Sequence, residues 1–207
     1  MEKNRLEAFS DGVIAIIITI MVLELKVPEH TGGQGPHPAG FADLKPLLPV
    51  FWSYVLSFVY VGIYWNNHHH LFQSTKHVTG GILWANLHLL FWLSLFPFAT
   101  AWVGTNPLAP APTAAYGFVL QLAAIAYYVL EHAIIKQQGK DSLLAAAVGS
   151  RWKENLSPAC YFAAIPLAFA NVWISNALFI FVAVLWLVPD RRIERVLEQR
   201  AKKMKLP

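Results

Sequence analysis

The sequence predicts an all-α membrane protein with six transmembrane helices per subunit. Three observations carry this. Of its 207 residues 56% are hydrophobic and only 14% charged, against about 25% charged in a soluble domain. Apolar segments of spanning length recur from end to end. The stretches between them are rich in Pro and Gly or in charge, which is turn and loop chemistry.

The first segment, Leu6–Leu25, has 20 residues, enough at 1.5 Å per residue to cross a hydrocarbon core of about 30 Å. It lacks a small-x-small cleavage pattern around Glu24–Pro28, which argues against a signal peptide. The loop 28–46 follows, with four glycines and four prolines. A second helix is expected over Leu47–Asn66, with Pro46 and Pro49 at its start, where a missing N–H is tolerated. A third runs over Gly81–Val103, and a fourth over Thr113–Ile135 after a short Pro-rich connection. The last apolar block, Leu156–Val188, has 33 residues. That length suits two short helices, with the turn expected at Asn171, Ser175 and Asn176. Residues 1–189 thus form one six-helix domain and 190–207 a basic tail.

Basic residues set the direction. With both termini inside, fourteen of the 16 lysines and arginines fall in inner segments and only Lys26 and Lys45 outside, as the positive-inside rule requires. The net charge of +4 is therefore explained by topology, without a nucleic-acid partner. One cysteine, Cys160, excludes an intramolecular disulfide and reads as a small apolar helix residue.

The polar residues inside these spans carry the functional information. An Asp near a helix centre in a membrane costs roughly 2.5–3.5 kcal/mol, less near the end, and persists where it has partners or water. Ser10 and Asp11 lie one to two turns into the first helix, His68, His69 and His70 at the matching end of the second, and Asn86 one turn into the third. With the predicted direction they share one layer near the cytoplasmic face, where one buried network could satisfy them. Adjacent helical residues point about 100° apart, so the three histidines cannot all hold one metal ion. No His-Glu-x-x-His or Cys₂His₂ spacing accompanies them. On a helical wheel Phe9, Gly12, Ile20 and Leu23 fall within about 40° of Ile16 and Thr19 within about 60°, whereas Ser10 and Asp11 lie about 120° and 140° away. One face meets neighbouring helices and the other a pore or lipid; the periodicity leaves open which, since Ile16, Ile17 and Ile18 make the helix apolar all round.

Arg5-x-x-x-Phe9-Ser10-Asp11 followed by an apolar helix containing Thr19 resembles the signature of the lysosomal/endosomal potassium channel family, transmembrane protein 175 and its prokaryotic relatives. Trp65-Asn66-Asn67-His68-His69-His70-Leu71-Phe72 and Asn86 with Pro97-Phe98 extend the resemblance. The chain has one six-helix unit where the animal protein has two. The resemblance implies a homotetramer in a prokaryotic cell membrane, with four first helices around a pore for potassium and other monovalent cations, potassium passing in preference to sodium. It implies no enzyme activity and no cofactor beyond the permeant ion. Carried over by position, Ile16 is the narrowest constriction, Thr19 a pore-facing hydroxyl, and Ile20 and Leu23 the apolar lining. Ser10 and Asp11, with Arg5, Phe9, His68 and Asn86, resemble the network behind the pore.

No Thr-Val-Gly-Tyr-Gly loop is present, so carbonyl-cage selectivity is not available, and an Ile/Thr/Leu lining would select by size and dehydration. A proton-coupled transporter using Asp11 and His68 is the alternative, marked by dependence on a proton gradient. A haem or metal membrane enzyme is a third reading, marked by a Soret band or bound metal.

Overall fold

The computed structural model describes residues 2–26, 40–75, 77–139 and 152–187, and the architecture among them is helical throughout. The expected basic tail and most of the first loop lie outside these residues. Seven α-helices follow in order: α1 (Lys3–Val22), α2 (Leu48–Gln73), α3 (Gly80–Ser94), α4 (Phe96–Thr105), α5 (Pro110–Gln138), α6 (Trp152–Ala170) and α7 (Val172–Leu187), with a 3₁₀ turn over Phe41–Leu47 leading into α2.

Three continuous stretches among the described residues are long and apolar enough to cross a membrane: Phe41–Gln73, Gly80–Thr105 and Pro110–Gln138. The apolar α7 is shorter. α5 is the hub, packing on α3, α4, α6 and α7, while α1 packs on α2, α3 and α4. Tyr60, Phe96, Tyr116 and Phe179 fill the centre of the bundle, Tyr116 meeting Phe96 and Phe179 edge to face and Tyr60 tilted against Phe96, an arrangement worth something beyond area burial.

Several boundaries differ from the sequence expectation for identifiable reasons. The third apolar segment is not one helix. Pro97 has no N–H to donate and its ring crowds the preceding turn. The chain therefore breaks at Leu95 and restarts with Pro97 in the first turn of α4. α2 continues past Asn66 for about two more turns, to Gln73, where His68 bonds to Asn86 and His69 to Gln73. α1 stops at Val22, with Leu23–Leu25 in a turn. Between α6 and α7 only Asn171 lies at the turn; its Oδ1 accepts the Trp173 N–H at 2.9 Å. Ser175 and Asn176 belong to α7. Ser175 Oγ donates to the Ala164 carbonyl at 2.6 Å, pinning α7 to α6.

Two glycines answer specific geometric demands. Gly139 ends α5 at φ 89°, in the half of the map that side chains avoid. A Cβ at Gly104 would sit 2.6 Å from Ser53 Oγ and 2.9 Å from Val50 Cα, so the end of α4 touches the start of α2 only because that position lacks one.

Candidate functional site: the three faces of the first helix

α1 presents three faces, and each meets different surroundings. The first is buried: Leu6, Ser10, Ile14, Ile17 and Met21 point into the bundle. Ser10, His68 and Asn86 are each fully buried, and the bonds between them fix their own direction. Ser10 Oγ donates to the Leu6 carbonyl at 2.8 Å. Its oxygen must therefore accept from Asn86 Nδ2, at 2.9 Å. That turns Asn86 Oδ1 toward His68 Nε2 at 2.8 Å, so Nε2 carries the proton and donates it. The chain of donors runs His68 to Asn86 to Ser10 to the Leu6 carbonyl, joining α2, α3 and α1. His68 is thus the histidine of the three that enters the buried layer. Its Nδ1 is buried without a hydrogen-bond partner, consistent with a neutral ring whose second nitrogen holds only a lone pair.

The second face is a ladder toward α2. Lys3, Glu7 and Asp11 are spaced i, i+4, and so, in reverse, are Gln73, His69 and Trp65. Residues four apart share one helical face, so two antiparallel helices can pair all three rungs. Lys3 Nζ donates to the Gln73 carbonyl at 3.3 Å. Glu7 Oε1 lies 3.4 Å from His69 Nδ1. Trp65 Nε1 donates to Asp11 Oδ1 at 3.0 Å. The Trp65 and His69 rings stack, with centroids 6.1 Å apart. Asp11 therefore sits on this more exposed ladder rather than in the Ser10–Asn86–His68 chain, and Arg5 and Phe9 are exposed outside both. Trp65 as the partner of Asp11 was missed at the sequence level, although the matched i, i+4 spacing was there to be read.

The third face is apolar and the most exposed of the three among the described residues. Ile16 is 57% exposed, Ile20 44% and Leu23 71%, and Gly12 and Thr19 are exposed beside them. Thr19 Oγ1 lies 3.1 and 3.0 Å from the Ala15 and Ile16 carbonyls. Its proton is used on its own helix, and its oxygen lone pairs are left outward. These five residues form one open stripe on the side of α1 away from the buried chain.

A second polar cluster gave no motif. Thr100 Oγ1 donates to Ser57 Oγ at 2.7 Å, and Ser57 Oγ lies 3.0 Å from the Tyr116 hydroxyl. It ties α2, α4 and α5 together in the deep core. No group of three or more His, Cys, Asp or Glu side chains suited to a metal occurs among the described residues.

A helical bundle with stretches long and apolar enough to cross a membrane, whose helices expose large apolar side chains outward, α1 among them, is that of a membrane protein. Comparison with known proteins narrows this. Residues 5–97 match the family described as Endosomal/lysosomal potassium channel TMEM175. A potassium channel of Chryseobacterium sp. (strain P1-3) is 54% identical over 96% of this chain and 100% of its own length. A potassium channel of Chamaesiphon minutus is 30% identical over 88% of this chain and 92% of its own. The crystal structure of a lysosomal potassium-selective channel TMEM175 homolog from Chamaesiphon minutus superposes with a TM-score of 0.75 at 28% identity, over 91% of this chain and 98% of that one. The mouse endosomal/lysosomal proton channel TMEM175 is 37% identical over 56% of this chain, which spans only 22% of the animal protein. The chain belongs to the TMEM175 family. Members of that family are membrane channels and not enzymes.

Proposed function

We propose that this chain is a potassium-selective cation channel of six spans per subunit, with α3 and α4 together as the third. Four copies surround a pore lined by the open stripe of α1. The observation that carries the reading is the contrast within α1. Its buried face is matched inside the subunit, with His68 Nδ1 the one orphan there, whereas Ile16, Ile20 and Leu23 are bulky apolar residues roughly half exposed or more, beside the Thr19 hydroxyl. Gly12 on the same face meets nothing within 4 Å, and small residues let helices approach closely around an axis. That relatives are named potassium channels supports potassium as the ion.

Selectivity then follows from dehydration. A ring of four Ile16 side chains offers no oxygen, so an ion sheds part of its water to pass. Sodium, the smaller ion, holds water more strongly and meets the higher barrier, and an apolar ring can also close by dewetting. Thr19, about one turn outward, returns an oxygen. The alternative, proton-coupled transport through Asp11 and His68, would need a proton path between groups that lie on separate branches. Asp11 is bonded to Trp65 and His68 to Asn86, and both branches lie off the stripe.

The deciding measurement is the reversal potential of the purified protein in bilayers under a potassium/sodium gradient. A potential near the potassium equilibrium value supports the channel. A potential that follows an imposed proton gradient instead would select the transporter. With both termini cytoplasmic, as the basic residues argue, Gly33→Cys and Lys203→Cys label from opposite sides of the membrane. Labelling of both from one side would overturn that orientation.

A further inference from the structure

A cavity of about 300 Å³ lies away from the α1 stripe, between α2, α5, α6 and α7. This is the lower end of the size range of small-molecule sites. It sits in the half of the bundle that holds the start of α1, since the C-terminal parts of α2 and α5 and the start of α6 enclose it. Its walls are mostly apolar and aromatic, with rings of Tyr127, Tyr128, Tyr161 and Trp186, and they carry the carboxylates of Glu131 and Glu154. Glu131 is 4% exposed, a burial that glutamate rarely adopts without a purpose or a partner.

We propose that this cavity binds an organic ammonium ion carrying an apolar body. The polar handles of two wall aromatics are already committed. The Tyr127 hydroxyl donates to the Asn67 carbonyl at 3.3 Å, and the Trp186 indole N–H donates to Ser157 Oγ at 2.8 Å. Those side chains therefore offer a guest their ring surfaces, which attract cations and apolar groups. The carboxylates supply the counter-charge. Glu131 and Glu154 each have other interactions as well, but a carboxylate has about four lone-pair sites and can accept from a guest while keeping them. A bare potassium ion is the wrong occupant. It needs several oxygens to replace its water, and the walls are chiefly carbon. The site is distinct from the pore and does not depend on the pore reading.

The test is calorimetric titration of the purified full chain in phosphatidylglycerol nanodiscs with benzyltrimethylammonium. Neopentylbenzene, its uncharged isostere, serves as competitor. Saturable binding of one probe per chain is expected, without competition from neopentylbenzene. Glu131→Gln should weaken it at least about tenfold, the scale of a lost charge-assisted contact. Tyr128→Leu, at a half-exposed ring, should weaken it about threefold. If Glu131→Gln does not fold, Tyr128→Leu decides. Ile16→Asn should leave the affinity unchanged, and its loss there would put the probe in the pore and overturn the proposal. Unaltered affinity in the folded wall variants, or equal binding of neopentylbenzene, would overturn it too. Adding phosphatidylethanolamine separates two sources of the ammonium. Weakened probe binding identifies the lipid headgroup as an occupant, and unchanged binding identifies a free amine.

Discussion

The buried and open faces of α1 lie on one helix of 20 residues, yet they obey opposite rules. On the buried face every polar atom but one has a partner. Ser10, Asn86 and His68 hold one another in a single direction that ends on the Leu6 carbonyl. On the open face Ile16, Ile20 and Leu23 are 57%, 44% and 71% exposed. The first face is determined by folding and tolerates no change of polarity. The second is free of folding constraints, so its side chains answer to whatever passes or packs there. A change on one face should therefore appear in stability and a change on the other in conduction.

The largest effect is expected at Asn86. Asn86→Leu removes the middle of the donor chain, leaving the His68 Nε2–H without its acceptor and Ser10 Oγ without its donor. Each buried group so stranded costs about 1–3 kcal/mol. We expect a protein that unfolds at markedly lower temperature in detergent and assembles poorly. Thermal scans and size-exclusion profiles indistinguishable from wild type would show that the chain contributes little, and would remove the contrast between the faces.

Ile16→Asn is the opposite experiment. Ile16 is more than half exposed, so the fold should be altered by no more than about 0.5 kcal/mol. The amide replaces an apolar ring with hydrogen-bonding groups, which lowers the dehydration barrier. Conductance should rise and the potassium-over-sodium permeability ratio should fall by about tenfold, equivalent to about 1.4 kcal/mol. Single-channel records with conductance and reversal potential both unchanged would take Ile16 out of the pore.

This contrast was only partly legible in the sequence. The wheel around Ile16 separated it from Ser10 and Asp11, but the helix is apolar all round and the periodicity could not say which side was open. Asp11 and Ser10, neighbours in sequence, were expected in one layer. The 100° between them instead sends Ser10 to Asn86 and Asp11 to Trp65. The Ser57–Thr100–Tyr116 cluster was invisible because single hydroxyls in apolar helices have no motif. They meet across α2, α4 and α5, with Thr100 just beyond the break at Leu95. Pro97 was the readable signal for that break. The span limits were easier, since apolar length is a one-dimensional property, whereas pairing between helices is not.

Leu23→Asn should sharpen the reading of the stripe. Leu23 lies about two turns beyond Ile16 and is the most exposed of the three large apolar stripe residues. If the pore widens outward, an ion there keeps its water, and an amide changes little. The permeability ratio should move by less than about twofold. A shift as large as that of Ile16→Asn would place a second constriction at Leu23 and make the stripe a long dry neck.

Gly12→Ala should have the smallest effect, and its sign separates an open face from a packed one. Gly104 provides the reference, since an added Cβ there would press on Ser53 and Val50 at distances no side chain tolerates. At Gly12 the same methyl meets nothing within 4 Å of its own chain. Replacing a helical Gly by Ala gains about 0.5–1 kcal/mol of backbone entropy, so the subunit should be slightly more resistant to unfolding. In the proposed tetramer Gly12 lies one turn toward the start of α1 from Ile16, on the same stripe. Four added methyl groups would then narrow the entrance to the ring and lower conductance modestly without changing the permeability ratio. A loss of stability comparable to Gly104→Ala would mean that another helix already occupies the Gly12 face. The stripe would then be a packing seam between subunits, and the pore would have to be sought on a different side of α1.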